Sequence, residues 1–171
     1  GITQTGGQCR ASSYLSLIKK AMVAAGYEHI PVISVSSGSG IINTQPGFHI
    51  DWSKILKVAF VSCLYADSLA KMYYSIAVRE RNKGVAKNLL DKYLQLVHEP
   101  VKKQDLNGIY SMLQSAVSDF NSVEIDNKHY PKIGIVGEIY VKYNSYGSLN
   151  IIDWMIEQGI EVVVPPLLDF F

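Results

Sequence analysis

Apolar residues recur at three- and four-residue spacing through most of the chain, and they crowd into short β-branched runs only near its two ends. Tyr14, Leu15, Leu17, Ile18, Ala21, Met22 and Ala25 predict an amphipathic helix, with Gly26 placed to end it in a left-handed cap. Ile30 to Val35 reads as a short buried strand, and Ser36 to Gly47, with Gly38, Gly40, Pro46 and Gly47, reads as a loop. Asp51 is placed to cap a helix with the face Ile55, Leu56, Ala59, Phe60, Cys63 and Leu64, running to about Val78. Asn82-Lys83-Gly84 breaks it. A second stripe follows at Ala86, Leu89, Leu90, Tyr93, Leu94 and Val97, which Pro100 closes. Asp105 then caps a helix carrying Leu106, Ile109, Tyr110, Leu113, Ala116, Val117 and Phe120. The last forty residues read as strand Lys132 to Gly137, helix Ser148 to Gln158 ending at Gly159, and strand Ile160 to Val164. Such a βαβ unit has parallel strands and a right-handed crossover. The pattern as a whole predicts an α/β fold, with a small parallel Rossmann-like sheet flanked by helices and a helical middle segment.

The 171 residues suit a single domain, with a βα half over about 1–47, a helical segment over about 51–126 and a βαβ half over about 130–165. Hydrophobic residues make up 48%, enough for a packed core, while charged residues are only 18% against roughly 25% in an ordinary soluble domain. A net charge of +1 argues against a nucleic-acid partner, which calls for a concentrated basic excess. No apolar run approaches the ~20 residues that span a bilayer, so no membrane role is expected. Nothing at the start has the form of a secretory signal, and a cytoplasmic location is expected. Two cysteines, Cys9 and Cys63, are too few for a disulfide framework. Because the chain begins at Gly1 and ends on Phe170-Phe171 after an apolar run, we expect a piece of a longer protein, some of whose faces are covered by missing neighbours.

Chemistry is expected at two places. Cys9 lies between Gly6-Gly7 and a helix start, with Arg10 beside it; helix amides and a guanidinium both stabilise the thiolate that a nucleophile or an iron ligand must be. The alternative is a small apolar residue packed at a helix start, or an inert thiol. Cys63 sits mid-helix on the apolar face, where it reads as a small hydrophobe. One cysteine cannot complete an iron–sulfur or zinc site, and His29, His49, His98 and His129 form no ligand pair at helical spacing. The second place is the segment after strand 132–137, where Glu138, Tyr140, Lys142 and Asn144 offer charge and hydrogen bonds at the carboxyl end of a parallel strand. There the alternative is that Tyr and Lys pack over a helix and Glu138 is a solvated rim residue. Gly38-Ser39-Gly40 is only loosely like a dinucleotide loop, and there is no Walker A sequence or Gly-x-Ser-x-Gly elbow.

Two motifs carry a family resemblance. Thr5-Gly6-Gly7-Gln8-Cys9-Arg10-Ala11-Ser12 resembles a segment of the 2-hydroxyacyl-CoA dehydratase-like proteins, and Val136-Gly137-Glu138-Ile139-Tyr140-Val141-Lys142 resembles the closing segment of the same region. The helical middle, around Ala66-Asp67-Ser68-Leu69, is similar too. This region occurs in large CoA-substrate-specific enzyme activases, activators of 2-hydroxyglutaryl-CoA dehydratase. The resemblance implies a [4Fe–4S] cluster held by cysteines from separate stretches, with Cys9 as one ligand and the others outside this chain. It also implies an ATPase (activase) domain or dehydratase subunits as partners, ATP-driven low-potential electron transfer, and acyl-CoA as a possible ligand. Lys142 stands where arginine is expected, which removes the fork geometry of a bidentate anion contact. Two other functions are held beside this one: a non-catalytic docking or scaffold domain, and a domain binding a CoA-like anion through Glu138–Asn144.

Overall fold

A computed structural model describes residues 2–4, 10–36 and 51–170. In chain order the elements are β1 (Ile2–Gln4), α1 (Tyr14–Ala24), β2 (Ser34–Ser36), α2 (Trp52–Ala77), α3 (Val85–Leu96), α4 (His98–Lys102), α5 (Leu106–Asn121), β3 (Lys132–Gly134), α6 (Ile139–Tyr143), α7 (Ile151–Glu157) and β4 (Glu161–Val163). Short 3₁₀ turns at Arg10–Ser13 and Leu167–Phe170 flank the set. The chain forms two compact units, one of residues 1–51 with 138–143 and the other of 52–137 with 144–171.

In the first unit β1 and β2 pair in parallel, with Ile2 opposite Ser34 and Gln4 opposite Ser36. The helix α1 half-buries Tyr14, Leu15, Ile18 and Met22, but Leu17 and Val23 stand exposed, so its buried face is narrower than the sequence stripe. Gly26 ends it as expected. Its φ of 77° lets Tyr27 N–H reach back to the Met22 carbonyl and Gly26 N–H to the Val23 carbonyl. That pair of bonds satisfies carbonyls the helix end would otherwise leave open.

The second unit is built on α2. Tyr65, Leu69, Tyr73 and Ala77 recur every four residues and form one buried face, against which α3 sets Ala86 and Tyr93 and α5 sets Ile109, Ala116 and Phe120. Each large side chain removed from water here contributes ~1.5–3 kcal/mol. The expected face of α2 is thus corrected in part: Ile55 packs against the core, but Leu56, Phe60 and Leu64 are 51, 56 and 45% exposed, and Tyr65 and Tyr73 are buried with Val58, Leu69 and Ala77 instead. The tyrosines can serve because each hydroxyl finds a partner. Tyr65 donates to the Tyr93 carbonyl at 2.9 Å, Tyr73 to Asp153 at 3.1 Å and Tyr93 to Asp119 at 2.7 Å.

Asp105 caps α5, its Oδ1 accepting Gly108 N–H at 2.9 Å. Pro100 does not close a helix but lies in the first turn of α4, where its missing N–H is no loss. Glu80 takes over the cap of α3: Oε1 accepts Gly84 N–H at 2.6 Å and Oε2 accepts Ala86 N–H at 2.7 Å. The strands β3 and β4 pair in parallel, Lys132 opposite Glu161 and Gly134 opposite Val163, with α7 between them in sequence. The mixed α/β, helix-rich reading holds. The strands, however, form two two-stranded parallel sheets, because β2 takes β1 as partner and β3 takes β4.

Candidate functional site

The segment after β3 turns at Gly137, whose φ of 144° is open to glycine and costly for other residues. Residues 139–143, expected as loop, form the single helical turn α6. Glu138 starts it. Its Oε2 accepts Val141 N–H at 2.9 Å, and its carbonyl accepts Lys142 N–H at 3.0 Å. The other carboxylate oxygen, Oε1, is sealed from solvent and has no hydrogen-bond partner among the described residues. An unmet buried acceptor costs about 1–3 kcal/mol, so stability is given up at this residue.

Lys142, one turn on, is only 5% exposed, and its ammonium lies 4.6 Å from the centre of the Tyr143 ring. A buried ammonium set on an aromatic face is a shielded charge, not a solvated one. Tyr140 is about half exposed, and its ring meets Tyr14 at 5.8 Å and 60°. Tyr14 Oη also accepts the Tyr140 N–H at 3.3 Å. The sequence thus missed Tyr14 as a member of this cluster, although an aromatic residue at the first position of α1 was on view. Glu138, Tyr140 and Lys142 all belong to the first unit. Asn144 belongs to the second, where its Oδ1 accepts Gly147 N–H at 2.8 Å and its carbonyl accepts Ser148 N–H.

Cys9, His49 and the Gly38–Asn43 stretch lie outside the described residues. Cys63 is half-buried; burial, and after it the Asp67 carboxylate, pushes its thiol above the ordinary value, so its thiolate is disfavoured. Among the described residues no group of three or more His, Cys, Asp or Glu side chains converges as a metal site. No helix among them is long and apolar enough to cross a membrane.

No family model, curated protein or solved structure matches the chain.

A buried charge cluster in the second unit has no counterpart in the sequence reading. Glu161 on β4, 6% exposed, pairs with Arg79 at 2.5 Å and with Lys132 at 3.0 Å. Arg79 also donates to the Ser75 carbonyl and stands 6.0 Å over the Tyr130 ring. Burial works to raise the Glu161 pKa, but hydrogen bonds and charge from Arg79 and Lys132 outweigh it and hold the carboxyl below its ordinary value. Every charged group in this cluster is matched, so it ties α2 to the strand pair and leaves no group free for chemistry.

Proposed function

We propose that this chain is the dehydratase-like, iron–sulfur-associated region of an activator of 2-hydroxyacyl-CoA dehydratase, supporting ATP-driven low-potential electron transfer. One observation carries the reading. The two motifs that bear the resemblance stand about 130 residues apart in the sequence. Even so, residues 1–51 and 138–143 fall into one compact unit, and Tyr14, two residues after the first motif, contacts Tyr140 within the second. The helix that follows one motif touching a residue of the other supports a shared site, and the parallel pair β1–β2 in the same unit suits a Rossmann-like half.

The described residues supply no ligand set for a cluster. Cys9 is the ligand this chain would contribute, and the remaining ligands would come from outside it. When bound, a [4Fe–4S] cluster supplies a one-electron donor. Anaerobic reconstitution with iron and sulfide, in the natural polypeptide context, tests the reading. Cys9→Ala is expected to lower bound iron and sulfide, and unchanged content in the variant refutes the ligand role.

A docking or scaffold role is the second reading, favoured by the stripe Leu56, Phe60 and Leu64, which α2 leaves exposed at four-residue spacing. Capture of dehydratase subunits that is insensitive to Cys9→Ala would support it. The CoA-anion reading is weaker, since Lys142 is buried and Glu138 spends one oxygen capping α6.

A further inference from the structure

Within the second unit, away from the turn described above, a cavity of about 480 Å³ opens between the end of α2, the start of α3 and α7. That volume falls inside the range of small-molecule sites. Ala77, Ile156 and the ring of Tyr73 supply its apolar lining. Lys83, in the turn before α3, and Lys87 on α3 bring two ammonium groups to its lining; two carboxylates one turn apart on α7, Asp153 and Glu157, line it too, with Glu80, whose carboxylate is already held by the Gly84 and Ala86 amides. The charges are opposite, yet no ion pair among the described residues joins the two sets. Lys83 instead donates to the Ala77 and Val78 carbonyls at 3.3 Å, and Lys87 pairs with Asp91 at 3.1 Å while its ammonium stands 5.9 Å from the Tyr73 ring centre. Asp153 accepts the Tyr73 hydroxyl through Oδ1 alone. Burial, and after it the Asp153 charge, pushes the Tyr73 pKa upward, so this hydroxyl remains a donor at neutral pH.

We propose that this cavity binds a zwitterionic amino acid with an apolar side chain, its carboxylate toward Lys83 and Lys87, its ammonium toward Asp153 and Glu157, and its side chain over Ala77 and Ile156. A polyanion such as a phosphate ester is disfavoured by the two carboxylates, and a simple amine by the two lysines. A ligand carrying both charges and an apolar body meets all three surfaces. The assignment does not depend on the cluster reading.

The test is a methyl-resolved NMR titration of the full chain with L-phenylalanine and L-methionine, read at Ile156 and Ala77. Parallel arms use phenylalaninamide, which lacks the carboxylate, and 3-phenylpropanoate, which lacks the ammonium. Saturable shifts are expected with the amino acids, and each single-charge analogue should bind about tenfold more weakly, the scale of one charge-assisted hydrogen bond. Glu157→Gln and Lys83→Gln should each weaken phenylalanine by a similar factor. Glu157 is exposed, so its variant folds and decides the matter alone if Lys83→Gln does not. No saturable shift with either amino acid, analogues as tight as phenylalanine, or full affinity in Glu157→Gln would each overturn the assignment.

Discussion

Replacing Glu80 tests whether a buried carboxylate can stand in for a helix cap. Gly84, the residue before α3, has no side chain to receive the helix's first amides, and it adopts a φ of 94°. The gap is filled from four residues upstream. Glu80 is 6% exposed and gives one oxygen to each of two amide donors, one of which belongs to Ala86, a residue with no exposure at all. A hydrogen bond to a charged group contributes about 1.5–3 kcal/mol, and an amide left bare in the interior costs about 1–3 kcal/mol. Because the two bonds share one carboxylate, the terms are not summed; Glu80→Ala is expected to lose about 3–4 kcal/mol. Glu80→Gln is the more telling variant. It keeps the shape but offers one acceptor, and its NH₂ group points a donor at a donor, so a loss of about 2–3 kcal/mol is expected. Urea unfolding followed by circular dichroism reads both, as a lower midpoint at an unchanged slope. Amide hydrogen exchange should show Gly84 and Ala86 losing protection before the rest of α3. If Glu80→Gln stays within about 0.5 kcal/mol of wild type, the side chain is filler and the capping argument is wrong.

Two further outcomes follow from the same unit. Leu69 has no exposure, and Leu69→Ala should cost about 2–5 kcal/mol through lost burial and a residual cavity, whereas Leu64→Ala, at a 45% exposed position, should cost about 1 kcal/mol or less; thermal or urea unfolding of the pair compares them directly. The folded pKa of Glu161 lies below its unfolded value of about 4.5, so its share of the stability is complete above that pH and is lost as the pH falls through the folded pKa. The difference in unfolding free energy between wild type and Glu161→Gln should therefore be full at pH 7, about 2 kcal/mol given the partial exposure of Arg79, and should shrink in acid; a difference constant from pH 7 down to pH 3 would show that the carboxylate charge is not what binds Arg79 and Lys132.

What the sequence made legible was what local chemistry decides. Gly26 and Gly159, with φ of 77° at both, end their helices as their positions indicated, and Asp105 caps α5 through its own oxygen. The stripes of α3 and α5 could be read at their buried positions, Ala86, Tyr93 and Val97 and then Ile109, Ala116 and Phe120, although Leu94, Tyr110 and Val117, placed on the same faces, stand exposed. The face of α2 was misplaced for a physical reason. Leucine and phenylalanine outrank tyrosine in any apolar count, but a tyrosine with a hydroxyl partner buries its ring as well as they do. Those partners, the Tyr93 carbonyl and Asp153, lie 28 and 80 residues away. The parallel pair β3–β4 was legible as a βαβ unit, whereas the pair β1–β2 was hidden, because β1 is only three residues long and sits in a stretch with no strand signal of its own.

The candidate site was legible only in outline, and its departures from local rules are informative. A sequence that specifies one fold meets its rules nearly everywhere, and breaks cluster where function sets a competing demand. The turn after β3 breaks several within a few residues. Gly137 takes a φ that is costly for other side chains, Glu138 holds an oxygen in the interior with no donor among the described residues, and Lys142 buries an ammonium near Tyr143. A connector selected only to join β3 to α7 has no reason to carry any of these, since a neutral loop would be more stable. By contrast, the buried charges of the second unit are fully matched: Glu80 by two amides, and Glu161 by Arg79 and Lys132. The unmet buried acceptor among the described residues, Glu138 Oε1, therefore lies within the motif that bears the family resemblance. This favours residues 138–143 as the working end of the first unit, and it makes Glu138, more than the scattered histidines or Cys63, the residue whose replacement should change function with least harm to the helical core.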